Sequence, residues 1–284
     1  MNERALIRAI QRYTASPRRD DNLIAGIGDD CAILRPRRGE DLLFTTDFVI
    51  EDVHFHRTQE SGVKTGYRAL ARGLSDIAAM GGEPRYALVS LALAPWTCQN
   101  YVRDLYRGFA KLGKRYNVQI IGGDVTRTEK LTIDVVIIGA VPQGKALRRS
   151  GARVGDRIYV SGPLGGAAAS GYTMRIEPRI EMGLHLRGKA TACMDLSDGL
   201  ALDLHRLCVE SGVCAALTSP IPIARRATLD QALSGGEDYE LLCTIPPRRK
   251  PAAGLIAIGV VTAGKAGRVT LDGKPLEAEG WDPI

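Results

Sequence analysis

The chain has 284 residues, of which 45% are hydrophobic and 25% charged, and its formal net charge is +6. That length fits two domains or one large one, and the mix excludes a disordered chain, a collagen-like fibre and a coiled coil. Aromatic residues are only 5% of the total, so Val, Ile, Leu and Ala must build the core.

Residues 1–20 open with MNERALIRAIQRY, which alternates charge with aliphatics and reads as an amphipathic helix. It lacks the unbroken apolar stretch and small-residue cleavage site of a signal peptide. Leu42–Thr46 is a short apolar strand, and Gly66–Met80 has helical spacing that puts Ala69, Leu70, Gly73, Leu74, Ile77 and Ala78 on one face. Tyr86–Leu93 reads as a strand, and Asn100–Tyr116 as an amphipathic helix with Leu105, Phe109 and Leu112 on one side. Strands over Val118–Ile121 and Leu131–Val141 flank a Gly-Gly-Asp turn.

A second half starts near Arg149-Ser150-Gly151, which gives domains of 1–145 and 146–284. Its strand Arg157–Val160 runs into the glycine-rich Ser161–Gly166 and a small-residue helix. Thr191–Met194 leads to Asp195 and a helix over Leu200–Glu210; later strands are Leu241–Ile245, Leu255–Val261 and Val269–Leu271. Strands and helices mix in both halves, so the fold class is α/β or α+β. A Leu-Ser-Asp triplet recurs at 74–76 and 196–198, a faint internal echo. No apolar run reaches membrane-spanning length. The six cysteines form no C-x-x-C pair and read as reduced, mostly buried thiols in a cytoplasmic protein. The basic excess sits in short loop clusters such as Arg148-Arg149 and Arg225-Arg226. Without a basic helix face or interleaved aromatics, this favours anionic metabolites over nucleic acid.

The chemistry lies in aspartates placed where apolar strands end in glycine or hydroxyl turns: Asp29-Asp30, Asp47, Asp124, Asp195 and Asp198, with Asp76 inside an apolar helix. Singly, such residues are turn formers or caps. As a set without matching buried lysines they need cations. All-oxygen ligands select a hard ion, Mg²⁺ before zinc or copper. Mg²⁺ keeps waters and bridges few carboxylates to phosphates, so the implied partner is a polyphosphate. Thr45 and Thr46 either add oxygen ligands or are ordinary strand threonines. No P-loop or kinase motif is present, and Ser161–Gly171 does not fit the dinucleotide-binding pattern.

GIGDDCAIL, TTDFVIEDVHF, LARGLSDIAAMGG, IIGGDVTR, RSGARVGDRIYVSG, MDLSDGLALDL and SGGEDYELL, in this order, resemble the bacterial thiamine-monophosphate kinase family. That family lies in the superfamily of aminoimidazole ribonucleotide synthetase. The resemblance implies a two-domain fold: an N-terminal ATP- and Mg-binding domain that contributes strands to a dimeric β-barrel, and a C-terminal α+β domain. It implies a homodimer that phosphorylates thiamine monophosphate to thiamine diphosphate with ATP. By motif position, Asp30, Thr45, Thr46, Asp47, Asp76, Asp124, Asp195 and Asp198 correspond to Mg²⁺ ligands. Tyr106, Gly123, Asp124, Arg149 and Ser197 correspond to ATP contacts, and His54, Glu237 and Trp281 to contacts of thiamine monophosphate. The acceptor is a phosphate monoester with a second pKa of about 6, so no general base is expected. The segment between Gly171 and Thr191, and the stretch after Pro246, are shorter than the family pattern. Competing readings are another ATP-using member with a different acceptor, and a non-catalytic nucleotide-binding relative.

Overall fold

A computed structural model describes residues 3–14, 21–27 and 31–281. The chain divides into two compact units, Met1–Ile77 with Glu83–Gln143, and Ala78–Gly82 with Gly144–Ile284.

In the first unit, helix α1 (Glu3–Thr14) precedes a small antiparallel pair, β1 (Leu23–Ala25) and β2 (Ile33–Leu34). The main sheet contains β3 (Glu40–Ile50), β4 (Glu83–Leu93), β5 (Gln119–Gly122), β6 (Val125–Arg127) and β7 (Thr132–Pro142). The strand order is β3-β7-β4-β5, with β6 also on β4. β3 and β7 pair antiparallel along their whole length, with Thr46 opposite Val136 and Phe48 opposite Asp134. β4 is antiparallel to β7 and parallel to β5 and β6.

Strand periodicity sorts the β3 side chains onto two faces. Leu43 and Val49 are buried on one face, whereas Leu42, Phe44 and Phe48 on the other are 41%, 65% and 55% exposed. Over the buried face lies α2 (Gly62–Ala79), whose apolar stripe follows the 3.6-residue period: Ala69, Leu70, Leu74, Ile77 and Ala78 are fully buried. Helix α3 (Gln99–Tyr116) buries Leu105, Phe109 and Leu112, the side expected from the sequence. The two helices approach closely because both carry glycine at the crossing. A Cβ on Gly66 would lie 2.1 Å from the Leu105 carbonyl oxygen, and one on Gly108 2.2 Å from that of Val63.

The second unit holds a seven-stranded sheet in the order β14-β13-β10-β12-β8-β11-β9. Its elements in chain order are β8 (Arg157–Val160), α4 (Gly166–Ala169), α5 (Ile180–Leu186), β9 (Ala192–Asp195), α6 (Leu200–Ser211) and β10 (Cys214–Leu217), then α7 (Leu229–Ser234), β11 (Leu241–Ile245), β12 (Ile256–Thr262), β13 (Val269–Leu271) and β14 (Lys274–Leu276). Leu200, Leu204 and Leu207 of α6 share a core with Ile158, Val160, Met194 and Leu242 of the sheet.

The class is mixed α/β, as read from the sequence. The additions are short elements: β1, β2, β6, α5, α7, β10 and β14, the last pairing with the expected β13. Each is too brief to show a period, and β10 is the small-residue run CAAL. Helix α5 lies between Gly171 and Thr191. The Leu-Ser-Asp echo separates structurally, since residues 74–76 are inside α2 and 196–198 form a turn before α6. All six cysteines are free; four are buried, while Cys31 and Cys98 are exposed. Burial pushes the Cys208 and Cys243 thiols up to about 12. Among the described residues no helix is long and apolar enough to cross a membrane.

The glycine crossing gives a stability prediction. Gly66→Ala forces α2 and α3 apart and lowers unfolding free energy by about 2–3 kcal/mol, a typical cost of overpacking. Chemical denaturation measures it, and an unchanged midpoint would contradict the close approach.

Candidate functional site

In the first unit, β3 points Thr45 and Asp47 towards α2 and Thr46 to the opposite face. The Thr45 hydroxyl donates to Asp76 of α2, and the Thr46 hydroxyl donates to Asp134 of β7 at 2.5 Å. Arg72, one helical turn before Asp76, places its Nε 3.8 Å from Asp47 Oδ1. Asp47 Oδ2 is buried and has no hydrogen-bond partner. Burial, and then the Asp76 carboxylate, push the Asp47 carboxyl up to about 7; Arg72 opposes the shift and Asp134 adds to it. Burial is the main cause, and the Asp76 carboxylate adds like charge that the single guanidinium of Arg72 does not cancel. Asp134 is the one charged residue of the β7 strand. Its register opposite Phe48 brings it beside Thr46.

Asp124 is exposed in the turn from β5 to β6, where its Oδ1 accepts from the Val125 amide at 2.8 Å and its carbonyl accepts from Leu91 at 2.8 Å. Gly123 before it has φ +147°, and a Cβ there would lie 1.8 Å from the Val89 carbonyl oxygen. Only glycine fits this turn. His54 sits half-buried in the turn after β3, and its Nδ1 accepts from the Ile50 amide at 3.1 Å. That bond selects the tautomer protonated on Nε2. Burial, then Arg72 and Arg68, lower its imidazole to about 4. Tyr106 lies in the α3 core, 2% exposed, with its ring edge-on to Phe109 and tilted against Tyr13. Its ring therefore faces other aromatic side chains and not solvent. Asp30 falls outside the described residues.

In the second unit, Asp195 ends β9 and is buried. Residues 196–199 then turn into α6. Asp198 forms an ion pair with Arg206 of α6. The Asp198 amide donates to Asp203 at 3.0 Å, and Asp203 also receives Arg206 at 3.2 Å. Burial raises the Asp203 carboxyl to about 6, although the Asp198 amide opposes this. The same turn holds two other predicted residues by their backbones. Glu237 donates its amide to the Ser197 carbonyl at 2.7 Å, and Trp281 donates to the Asp198 carbonyl at 2.9 Å. Glu237 has φ +64°, and the Trp281 ring is 48% exposed. The structure therefore gathers Asp195, Ser197, Asp198, Glu237 and Trp281 around one turn. Arg149 stands beside it in the fold of this unit, lining a cavity of about 440 Å³ with Ser150, His205, Arg206, Val209 and Glu210.

The glycine-rich loop after β8 resembles a phosphate cradle only in composition. Asp238 accepts from the amides of Gly165, at 2.5 Å, and Ala167, at 3.0 Å. A carboxylate of the chain itself thus occupies the donors that a phosphate would use. Neighbouring Glu240 is buried and binds Arg179 and the Ser161 hydroxyl. Neither acid was singled out individually from the sequence, although both lie in the SGGEDYELL motif.

Among the described residues, no three His, Cys, Asp or Glu side chains gather closely enough to cage a metal unaided. The donor set nonetheless fits a hard divalent ion that keeps much of its water. It is entirely oxygen, and at Asp47 it leaves a buried carboxylate oxygen without a partner.

Residues 28–141 match the family model described as AIR synthase related protein, N-terminal domain, which sets the class of the fold. The thiamine-monophosphate kinase of Haemophilus influenzae is 38% identical over 81% of this chain and 78% of its own. The crystal structure of thiamine-monophosphate kinase from Stenotrophomonas maltophilia superposes with a TM-score of 0.84 at 33% identity, covering 97% of this chain and 98% of that one. A structure described as AaThiL complexed with AMPPCP and TMP gives 0.81 at 32% identity, covering 99% and 97%. The chain belongs to the thiamine-monophosphate kinase family.

His54 yields a pH prediction. Its ordinary value is 6.5 and its folded value about 4, so the neutral ring is the favoured native form. The stability it contributes is complete above about pH 6.5 and is lost as pH falls towards 4. An NMR titration of the imidazole should show a midpoint near 4; a midpoint at 6 or above would contradict the packing against Arg72 and Arg68.

Proposed function

We propose that this protein transfers the γ-phosphoryl group of ATP to thiamine monophosphate, forming thiamine diphosphate and ADP. The observation that carries the reading is the crowding of Asp47 against Asp76, with one buried carboxylate oxygen left unpartnered. Such an arrangement is unfavourable for a fold alone and suits a site that receives positive charge. Mg²⁺, when bound, supplies that charge and offsets the repulsion between two phosphate-bearing reactants. Asp47, Asp76 and the Thr45 and Thr46 oxygens would hold it in the first unit, with Asp124 and Asp30; Asp195 and Asp198 would do so in the second.

ATP is the donor, and Gly123, Asp124, Arg149 and Ser197 are its proposed contacts, with Tyr106, buried in the α3 core, placed in support rather than against the nucleotide. Arg149 has the guanidinium that suits a phosphate, and it lines an open cavity. Gly123 lets the backbone run without a side chain at the exposed β5–β6 turn. Tyr106 contributes from within the core by holding α3. His54, Glu237 and Trp281 are the proposed contacts of thiamine monophosphate. The neutral His54 ring offers Nε2–H as a donor, and the exposed Trp281 ring offers a flat apolar face to an aromatic ring. The acceptor phosphate is largely deprotonated at neutral pH, so the chain's residues position it and need not take a proton from it. Direct transfer follows, with no phosphorylated protein intermediate.

The division of labour is an N-terminal domain, 1–145, for ATP, Mg²⁺ and dimerisation and a C-terminal α+β domain, 146–284. The dimer is supported by Leu42, Phe44 and Phe48, which form an open apolar stripe on one face of β3. We read the enzyme as cytoplasmic, where ATP and reduced thiols coexist.

The test is ADP release with thiamine monophosphate, with and without Mg²⁺. ADP formed only when both are present supports the reading. ATP bound without turnover would instead favour a nucleotide-binding relative. Asp124→Asn should cut turnover roughly 100-fold or more with an unchanged melting temperature, since the residue is exposed. Asp47→Asn should cut turnover comparably yet raise the melting temperature, because one of the crowded carboxylates is neutralised. A fully active Asp124→Asn protein, or an Asp47→Asn protein of lower stability, would count against these assignments.

A further inference from the structure

Asp203 has no part in the roles above, yet it is fully buried on α6 at 0% exposure. Its position is an unusual one for a carboxylate. The neighbouring inward residues, Leu200, Leu204 and Leu207, are core leucines, and an apolar side chain would pack there without the desolvation cost of a charge. Among the described residues its carboxylate accepts one hydrogen bond from the turn and one from Arg206 of its own helix. Oδ2 accepts from the Asp198 amide at 3.0 Å, a donor that precedes the helix and has no helical acceptor. Oδ1 accepts from Arg206 at 3.2 Å, and the same Arg206 nitrogen donates to the Asp198 carboxylate. One buried acid therefore grips Asp198 directly through its backbone, and through Arg206 by its side chain. The turn so held also carries Glu237 on the Ser197 carbonyl and Trp281 on the Asp198 carbonyl.

We propose that Asp203, acting with Arg206, is a positioning residue that fixes the 196–199 turn and so orients Asp198, Glu237 and Trp281 for the reaction. The functional half of this inference rests on the kinase reading; the holding of the turn does not. Asp203 touches no substrate. Its effect reaches the site through Asp198, whose carboxylate it holds in place by sharing Arg206. The charge balance is favourable for this, because one guanidinium serves two carboxylates and leaves the pair with a net negative charge, which suits a nearby cation.

Two substitutions separate positioning from packing. Asp203→Asn keeps an oxygen for the Asp198 amide, while Asp203→Ala removes both contacts and keeps good helix propensity. Hydrogen exchange should show the Asp198 amide of the wild type and of Asp203→Asn exchanging as slowly as the α6 interior, and that of Asp203→Ala faster by roughly tenfold or more. Calorimetry with AMPPCP and Mg²⁺ should show affinity weakened roughly tenfold in Asp203→Ala, with the KM for ATP rising in step, and weakened less in Asp203→Asn, which keeps the amide contact but not the one to Arg206. A folded Asp203→Ala protein with a slow Asp198 amide and wild-type AMPPCP affinity overturns the proposal. Should Asp203→Ala not fold, rapid exchange of the Asp198 amide in the wild type overturns it equally. A wild type that makes no ADP with thiamine monophosphate defeats the kinase reading alone, and the exchange measurements still decide whether Asp203 holds the turn.

Discussion

Asp47 keeps one carboxylate oxygen out of water and without a partner while a second carboxylate, Asp76, stands beside it. Burial makes the charge costly and like charge makes it costlier, and Arg72 at 3.8 Å offsets only part of this. The architecture of the first unit follows from holding that arrangement. A long β3–β7 ladder fixes the register, α2 closes over one face, and the glycine crossing of α2 and α3 brings the second helix close against the first. The stability given up at Asp47 is offset by the apolar packing around it, where Ile133, Val135 and Ile137 are fully buried.

The second unit meets the same problem differently. Its buried acids carry internal partners: Arg206 for Asp198 and Asp203, Arg179 for Glu240, and backbone amides for Asp238. These pairs fix loops, and the one guanidinium shared by Asp198 and Asp203 leaves that pair with a net negative charge. The 161–167 loop is closed by Asp238, so glycine-rich composition and a capacity to bind phosphate part company here. The 196–199 turn is gripped on its amide side by Asp203 and on its carbonyl side by Glu237 and Trp281. Rigidity of this kind is what a positioned site needs.

Long periodic segments were legible in the sequence. The stripe of α2, the leucines and phenylalanine of α3, and the strands at 157–160, 241–245 and 269–271 follow directly from residue spacing. The short elements were not, because α5, α7 and β10 span too few residues for a period to register and owe their form to tertiary contacts. At the sites, aspartates at strand ends were conspicuous as a pattern. The parts played by Asp134, Arg72, Asp203 and Asp238 were not, since each matters through a partner distant in sequence.

By itself the sequence determined the mixed α/β class, the ordered set of acidic motifs and the family they resemble, because these are properties of local spacing and residue type. Tertiary structure alone decided which face of β3 each hydroxyl and carboxylate occupies, and that Asp47 retains an unpaired buried oxygen. It also decided that Asp238 fills the amide cradle and that Asp203 holds the turn at Asp198. The physical reason is common to all four. Burial, strand register and ion pairing depend on which remote segments meet, and a linear pattern does not encode the distance between them.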